Sequence, residues 1–127
     1  MHSFLITHWS LNPQDLPESI KLKLPRHDSL NHPDILLLKP NPIITIAQIR
    51  HFKTWLSRRP YQATTKAAVL LQADQLTLPA QHALLKSLEE PPQDTIIILA
   101  TNHPDALIPT IHSRCQLIHL QAPSTSG

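Results

Sequence analysis

Five short apolar runs, separated by stretches of helical or turn character, restrict the folds open to this chain. Most of the runs are continuous rather than alternating, which is typical of strands that are buried on both faces. Strands that alternate with helices predict an α/β architecture, in which a mostly parallel five-stranded sheet is flanked by helices. The predicted strands are residues 3–7, 34–38, 67–71, 95–100 and 116–120.

Two amphipathic helices are predicted between these strands. The first ends before Pro60, and the second begins at Thr77 and ends before Pro91. The apolar stripe of the first consists of Ile46, Ile49, Phe52, Trp55 and Leu56. By contrast, repeated prolines interrupt residues 8–33. This stretch is predicted to be an irregular Pro-rich insert with one short helix near residues 18–22.

Length and composition limit the class of protein. With 127 residues, 41% of them hydrophobic and 16% charged, the chain is expected to form one globular domain. Its single cysteine, Cys115, excludes an internal disulfide framework and a multi-cysteine zinc site. No apolar run is long enough for a membrane span, and the N-terminus has no basic, apolar leader. A cytoplasmic protein without membrane contact is therefore expected.

Glycine is almost missing from the chain: its one glycine is Gly127, the last residue. Walker A loops and dinucleotide fingerprints use glycines to bring backbone amides close to phosphate. Residues 7–13, which begin at the last residue of the first predicted strand, contain none. The chain is therefore predicted to have no functional P-loop and to require no cofactor.

Three blocks, taken together and in this order, resemble a known family. They are residues 66–76, reading Lys-Ala-Ala-Val-Leu-Leu-Gln-Ala-Asp-Gln-Leu, residues 83–92, which end in Leu-Glu-Glu-Pro-Pro, and residues 107–116, which contain Ser-Arg-Cys. They are similar to the AAA+ domain of bacterial DNA polymerase III clamp-loader subunits of the delta-prime or gamma and tau type. The resemblance extends over residues 32–120.

The resemblance implies an AAA+, P-loop NTPase-like core over residues 1–120, followed by a polar tail at 121–127. It also implies that the lid and collar domains of the family are absent, which leaves open whether the chain is a fragment or a reduced protein. The implied function is that of a non-hydrolysing subunit that supports sliding-clamp loading in DNA replication. Its implied partners are clamp-loader ATPase subunits of the gamma or tau type, with primer-template DNA as a further candidate within the complex.

By the same resemblance, Ser113, Arg114 and Cys115 form the segment of a trans arginine finger, whose planar cation reaches a neighbour's γ-phosphate. The alternative for Arg114 is a surface arginine that binds carbonyls near a helix end. Cys115 itself is expected to be a small buried side chain.

Two further positions resemble nucleotide-site residues. Asp74 stands in the place of a degenerate Walker B carboxylate, and Thr101 and Asn102 stand in the place of the family's sensor. Without a phosphate loop, Asp74 is predicted to cap the turn before Thr77. Thr101 and Asn102 are predicted to act only as hydrogen-bonding residues at the end of a strand.

A basic group lies on and after the first predicted helix. Its members are Arg50, Lys53, Arg58, Arg59 and Lys66. Cations of this kind can bind nucleic-acid phosphates, but a solvated helix face explains them equally well. The nine histidines include no pair at the i, i+4 spacing of a helical zinc site, so no metal site is predicted.

Three rival functions remain at this point. An active AAA+ ATPase conflicts with the missing Walker A loop. A free nucleic-acid-binding module is favoured only by the basic helix and the net charge of +2. A vestigial fragment of a clamp-loader ATPase is the third alternative.

Overall fold

One sheet of five parallel strands organises the protein. The computed structural model describes residues 3–26 and 28–120, so the predicted tail at 121–127 lies outside the described residues. The strands are β1 Ser3–Thr7, β2 Ile35–Leu38, β3 Lys66–Leu70, β4 Thr95–Ala100 and β5 Gln116–His119. Their order in the sheet is β2-β3-β4-β1-β5, and every pairing is parallel. The predicted α/β class and five-stranded sheet are therefore confirmed.

The strand bounds agree with the sequence prediction to within one residue. Strands β1 and β4 have the predicted limits, and the β-branched β4 lies at the centre of the sheet with all six residues buried. Strand β3 begins one residue earlier than predicted because Lys66 pairs with Thr95 of β4. It ends at Leu70, since the backbone soon turns away at Gln72, whose φ is 47°.

In the described part of the chain, four α-helices connect the strands: α1 Glu18–Lys21, α2 Ile46–Leu56, α3 Leu78–Glu89 and α4 Pro109–Arg114. The N-cap of α2 is Thr45, which forms a capping box with Gln48, and the N-cap of α3 is Thr77, as predicted. The short α4 was not predicted, although Pro109 at its first position is a recognised start signal. No described helix has both the length and the apolar character needed to cross a membrane.

Helices α2, α3 and α4 cover one face of the sheet. Their buried apolar side chains pack with those of β1, β3 and β4 that point to this face. Ile49 and Phe52 of α2, Leu84 of α3 and Ile111 of α4 are all buried here. This apolar layer anchors both ends of α3 and the start of β5.

The opposite face is covered by the Pro-rich stretch that follows β1. Trp9, Leu16, Ile20 and Leu24 from this stretch pack on the second face of the sheet and are buried. A short 3-10 turn, Pro13–Asp15, and the single turn of α1 are its regular elements. The stretch that was predicted to be an irregular insert therefore covers one face of the sheet in the described part of the chain.

Candidate functional site

A cleft of about 650 Å³ opens at the carboxyl-terminal edge of the sheet. Residues that directly follow four of the strands line it. They include Trp9 and Leu11 after β1, Lys39 after β2, Asp74 after β3, and Thr101 and Asn102 after β4. In open parallel sheets, ligands bind in the crevice outside the carboxyl ends of the strands. The predicted Walker B-like and sensor-like residues therefore meet at the edge of the sheet where this fold binds ligands.

Asp74 and Thr101 are joined directly in this cleft. The Thr101 hydroxyl donates to Asp74 Oδ1 over 2.6 Å, and Thr101 Oγ1 accepts the backbone N–H of His103. Burial acts to raise the pKa of Asp74, but the hydrogen bonds from Thr101, the aspartate's own backbone and Gln75 outweigh it and lower the pKa. These hydrogen bonds favour the ionised carboxylate, and they also use its oxygens as acceptors.

Asp74 lies in the turn before Thr77, where it was predicted to act as a cap, and its carboxylate also binds Thr101. Thr77 caps α3, because its hydroxyl accepts the Ala80 N–H. Asp74 lies in the 3-10 turn Ala73–Gln75, which aims its side chain toward the next strand. For Thr101, the predicted bonding at the end of a strand is what the structure contains.

The turn after β1 is built from large side chains. His8 and Leu11 adopt left-handed backbone conformations, with φ of 61° and 69°, which are uncommon for residues other than glycine. Between them, Trp9 is buried, and its indole N–H donates to the Asn12 carbonyl. Asn102 Oδ1 accepts the N–H of His8 over 3.0 Å. The sensor-like position is therefore bound to the turn that occupies the place of a phosphate loop.

Arg114 lies at the other edge of the sheet. It ends α4, two residues before β5 begins, and a residue that leads into a parallel strand lies at the amino-terminal edge. Its Nε is 3.3 Å from Glu89 Oε2 at the end of α3, and its guanidinium also donates to the Thr110 carbonyl over 3.2 Å. Strands of four to six residues separate the two edges by roughly 13 to 20 Å. Arg114 therefore does not belong to the cleft of its own chain.

The two residues beside Arg114 differ in exposure. Ser113 is exposed, and its hydroxyl donates to the Thr110 carbonyl. Cys115 is buried, as predicted, and burial raises the pKa of its thiol to about 12. Of the three, Arg114 carries the side chain that is both charged and accessible.

The basic group divides into two parts. Arg50, Arg58 and Arg59 are exposed, whereas Lys53 is half-buried and donates to the Ala83 carbonyl of α3 over 3.2 Å. Lys66 is only 2% exposed, and its ammonium binds two backbone carbonyls and lies 4.0 Å from the centre of the Trp55 ring. Including Lys66 among the phosphate-contact candidates was wrong, because it is the first residue of a buried strand.

Asp34 was missed by the sequence analysis. It is 2% exposed, and its carboxylate accepts the backbone N–H groups of Tyr61, Gln62 and Ala63. Burial acts to raise the pKa of Asp34, but these donors outweigh it and lower the pKa. An aspartate directly before an apolar strand was the available signal. Among residues 3–26 and 28–120, no group of acidic, histidine or cysteine side chains is arranged to hold a metal.

Comparison with known proteins supplies the family. A family model described as DNA polymerase III, delta subunit, matches residues 13–124. The chain belongs to this family. It is 40% identical over 97 residues to DNA polymerase III subunit delta' of Bacillus subtilis (strain 168), and 36% identical over 95 residues to the delta' subunit of Escherichia coli (strain K12). The resemblance stated from the sequence is therefore confirmed.

A solved structure is also similar to this protein. The protein resembles a gamma subunit-related protein of DNA polymerase III from Thermotoga maritima with a TM-score of 0.76 and 31% sequence identity, over 96% of this chain and 42% of that one. The alignments to the two delta' subunits cover 76% and 72% of this chain, but only 30% and 28% of those proteins. The chain thus spans about a third of the length of these relatives.

Gln81 is a further residue that the sequence analysis did not mark, and it helps to position Arg114. Gln81 lies on the buried side of α3 and is 5% exposed. Its amide donates to the Leu76 carbonyl and accepts the N–H of Ile108, the residue before α4. A polar residue beside the apolar stripe of a helix was the signal that sequence analysis passed over. Gln81 fixes the start of the helix that ends at Arg114.

Proposed function

We propose that this protein is a non-hydrolysing clamp-loader subunit of the delta-prime type, which supports sliding-clamp loading in DNA replication through contacts with other subunits. In this proposal residues 1–120 act as one AAA+ domain. Its partners are the ATPase subunits of the gamma or tau type. Primer-template DNA held in the complex is a further partner, for which Arg50, Lys53, Arg58 and Arg59 are the candidate contacts.

The passive character of the subunit is supported by the cleft. A phosphate loop needs glycines so that backbone amides can approach the ligand, and the turn after β1 instead carries a buried tryptophan, Trp9. The carboxylate that stands in the Walker B place, Asp74, is already bound by Thr101. A single carboxylate in such a position offers little to a hydrated magnesium ion.

The observation that carries the proposal is the position of Arg114. It lies at the amino-terminal edge of the sheet, whereas the cleft lies at the carboxyl-terminal edge. A cation placed in this way can serve a nucleotide only if that nucleotide is bound by a neighbouring subunit. There, a planar guanidinium is suited to the charge that develops on a transferred phosphoryl group.

The proposal is tested in a reconstituted complex with the gamma or tau subunits of the same organism. Replacing Arg114 with alanine should lower the ATPase rate of the complex at least tenfold, because full arginine fingers contribute about a thousandfold or more. Lysine should rescue poorly, since it keeps the charge but loses the planar fork. Arg26→Ala, which removes an arginine paired with Asp28 elsewhere on the surface, is the matched control.

Two results would overturn parts of this proposal separately. An unchanged ATPase rate and unchanged clamp loading in a normally assembled Arg114→Ala complex would reject the trans role. Calorimetric titration of the isolated protein with magnesium ATP tests the passive role. Micromolar affinity with phosphate release would show that the subunit is an ATPase.

A further inference from the structure

The charges of this chain are divided unevenly along its length. Between Ile35 and Ala73 there are six lysines and arginines and no aspartate or glutamate, although the whole chain has eleven and nine of these residues. Helix α2 and the loop after it lie within this segment. The net charge of the whole chain is only +2, but residues 35–73 form a strongly basic region.

Two exposed arginines of this region are available to bind a ligand. Elsewhere, Lys21, Arg26 and Arg114 each form an ion pair with a carboxylate. Within the part of the chain that the structure describes, Arg58 and Arg59 have no ion pair and no side-chain hydrogen bond. Both are exposed. Unpaired arginines are the cations most readily available to an incoming anion.

The loop that carries these arginines is fixed at both ends by buried charges. At its start, the ammonium of Lys66 donates to the Arg58 carbonyl over 2.6 Å. At its end, the carboxylate of Asp34 accepts N–H groups from Tyr61, Gln62 and Ala63. These two buried groups bind backbone and leave the loop side chains unengaged. A preorganised loop loses less conformational entropy when it binds a ligand.

Tyr61 gives this loop its second property. Tyr61 is 80% exposed and is the most exposed large hydrophobic residue in the described part of the chain. The aromatic ring lies three residues from Arg58 and two from Arg59, so all three side chains share one short loop. Aromatic rings beside cations are the usual platform for single strands, in which base faces are free to stack.

We infer that the loop Arg58-Arg59-Pro60-Tyr61 binds single-stranded nucleic acid, with phosphates on the two arginines and a base stacked on Tyr61. Duplex DNA offers the same phosphates, but its bases are already stacked and cannot use the ring. An acidic polypeptide offers carboxylates without base faces. The inference rests on the DNA-contact part of the proposed function, which already names Arg58 and Arg59, and it adds the single-stranded form of the ligand and the role of Tyr61. It involves neither Arg114 nor the cleft.

The test is fluorescence anisotropy of a labelled oligothymidylate with the full chain at low salt. Arg58→Ala combined with Arg59→Ala should weaken binding and reduce the slope of log affinity against log salt by about 0.7 for each phosphate that is no longer neutralised. Tyr61→Ala should weaken binding about tenfold, the order expected for one stacked base, without changing the salt slope. Tyr61→Phe should bind like the wild type, because it keeps the ring.

Lys86→Ala is the matched control, since Lys86 is exposed on α3 outside the acid-free segment. Loss of binding in the loop variants, with Lys86→Ala unchanged, supports the inference. Equal losses for Lys86→Ala and the arginine pair would overturn it in favour of diffuse attraction. Wild-type affinity in Tyr61→Ala, or equal affinity for a duplex of the same length, would also overturn it. None of these results bears on the ATPase test of Arg114.

Discussion

Thr101 and Asp74 join the ends of the neighbouring strands β4 and β3, through a hydroxyl-to-carboxylate hydrogen bond of 2.6 Å. The two residues are 27 positions apart in the sequence, and the bond exists because the parallel register brings both strand ends to one edge. In a cleft without a glycine loop, this bond gives the carboxylate a protein partner. Its energetic weight can be measured.

Replacing Thr101 with valine should destabilise the protein by about 1 to 3 kcal/mol at pH 7. The change preserves the shape but removes the donor to an ionised carboxylate and the acceptor of the His103 N–H. Thr101 is 5% exposed, so water cannot easily replace these bonds. Urea denaturation of both proteins measures the difference, and exposed Thr64→Val should change stability by less than about 0.5 kcal/mol.

The same variant has a defined pH dependence. The pKa of Asp74 is below its ordinary value of 3.8 in the folded state, so the stability it contributes is present above that value and is lost as pH falls through the lower folded pKa. The gap between wild type and Thr101→Val should therefore narrow below about pH 4. A gap that stays constant down to pH 2 would show that the bond does not depend on the ionised carboxylate.

The sequence predicted the sheet well because its strands are continuous apolar runs between clear proline and threonine signals. It did not predict α4, since six residues are too few to establish a helical period. It placed Lys66 among the solvated cations because the buried partners of its ammonium are backbone carbonyls of a distant loop. Such contacts are set by tertiary packing and leave no pattern in the sequence.

Candidate site residues differ in the same respect. The family resemblance located Asp74, Thr101 and Arg114 by their order along the chain, and the parallel topology then brings the first two together. The bond between Asp34 and the loop that contains Tyr61 spans 27 residues and involves only backbone donors. Any side chains could stand at the donor positions, so nothing in the residue types at 61–63 marks them.

Replacing buried Lys66 with methionine should destabilise the protein, because the carbonyls of Trp55 and Arg58 each lose a donor. Burial lowers the pKa of Lys66 below 10.5. Between its folded pKa and 10.5, the unfolded chain therefore binds more protons than the folded one, and wild-type stability rises with pH relative to the variant. The difference in the free energy of unfolding should thus be larger at pH 10 than at pH 8.

Exposed Lys86→Met is the control for this comparison and should show little change at either pH. A difference between wild type and Lys66→Met that shrinks as the pH rises would contradict the lowered pKa. Both measurements use urea denaturation in the same buffers.

Cys115 should be almost inert in the folded protein. Burial raises the pKa of its thiol to about 12, and the thiolate is the reactive form. At pH 8 the folded protein should react with iodoacetamide on the order of a thousandfold more slowly than a free thiol. Mass spectrometry can follow the reaction because the chain has one cysteine. A native rate within tenfold of the rate in denaturant would contradict the burial of this side chain.

The ion pair between Glu89 and Arg114 should compete with the proposed trans role of Arg114. The carboxylate lies 3.3 Å from Arg114 Nε, and this pair is partly exposed, so it contributes at most about 1 kcal/mol to stability. If Arg114 serves the nucleotide of a neighbour, it must leave Glu89 to do so.

Glu89→Gln removes the competing charge and keeps the size of the side chain. The reconstituted complex with this variant should therefore keep or increase its ATPase rate, whereas Arg114→Ala should lose at least about tenfold. An equal loss in both variants would mean that Glu89 positions the arginine rather than competing for it, and no loss in either would reduce the pair to a surface contact.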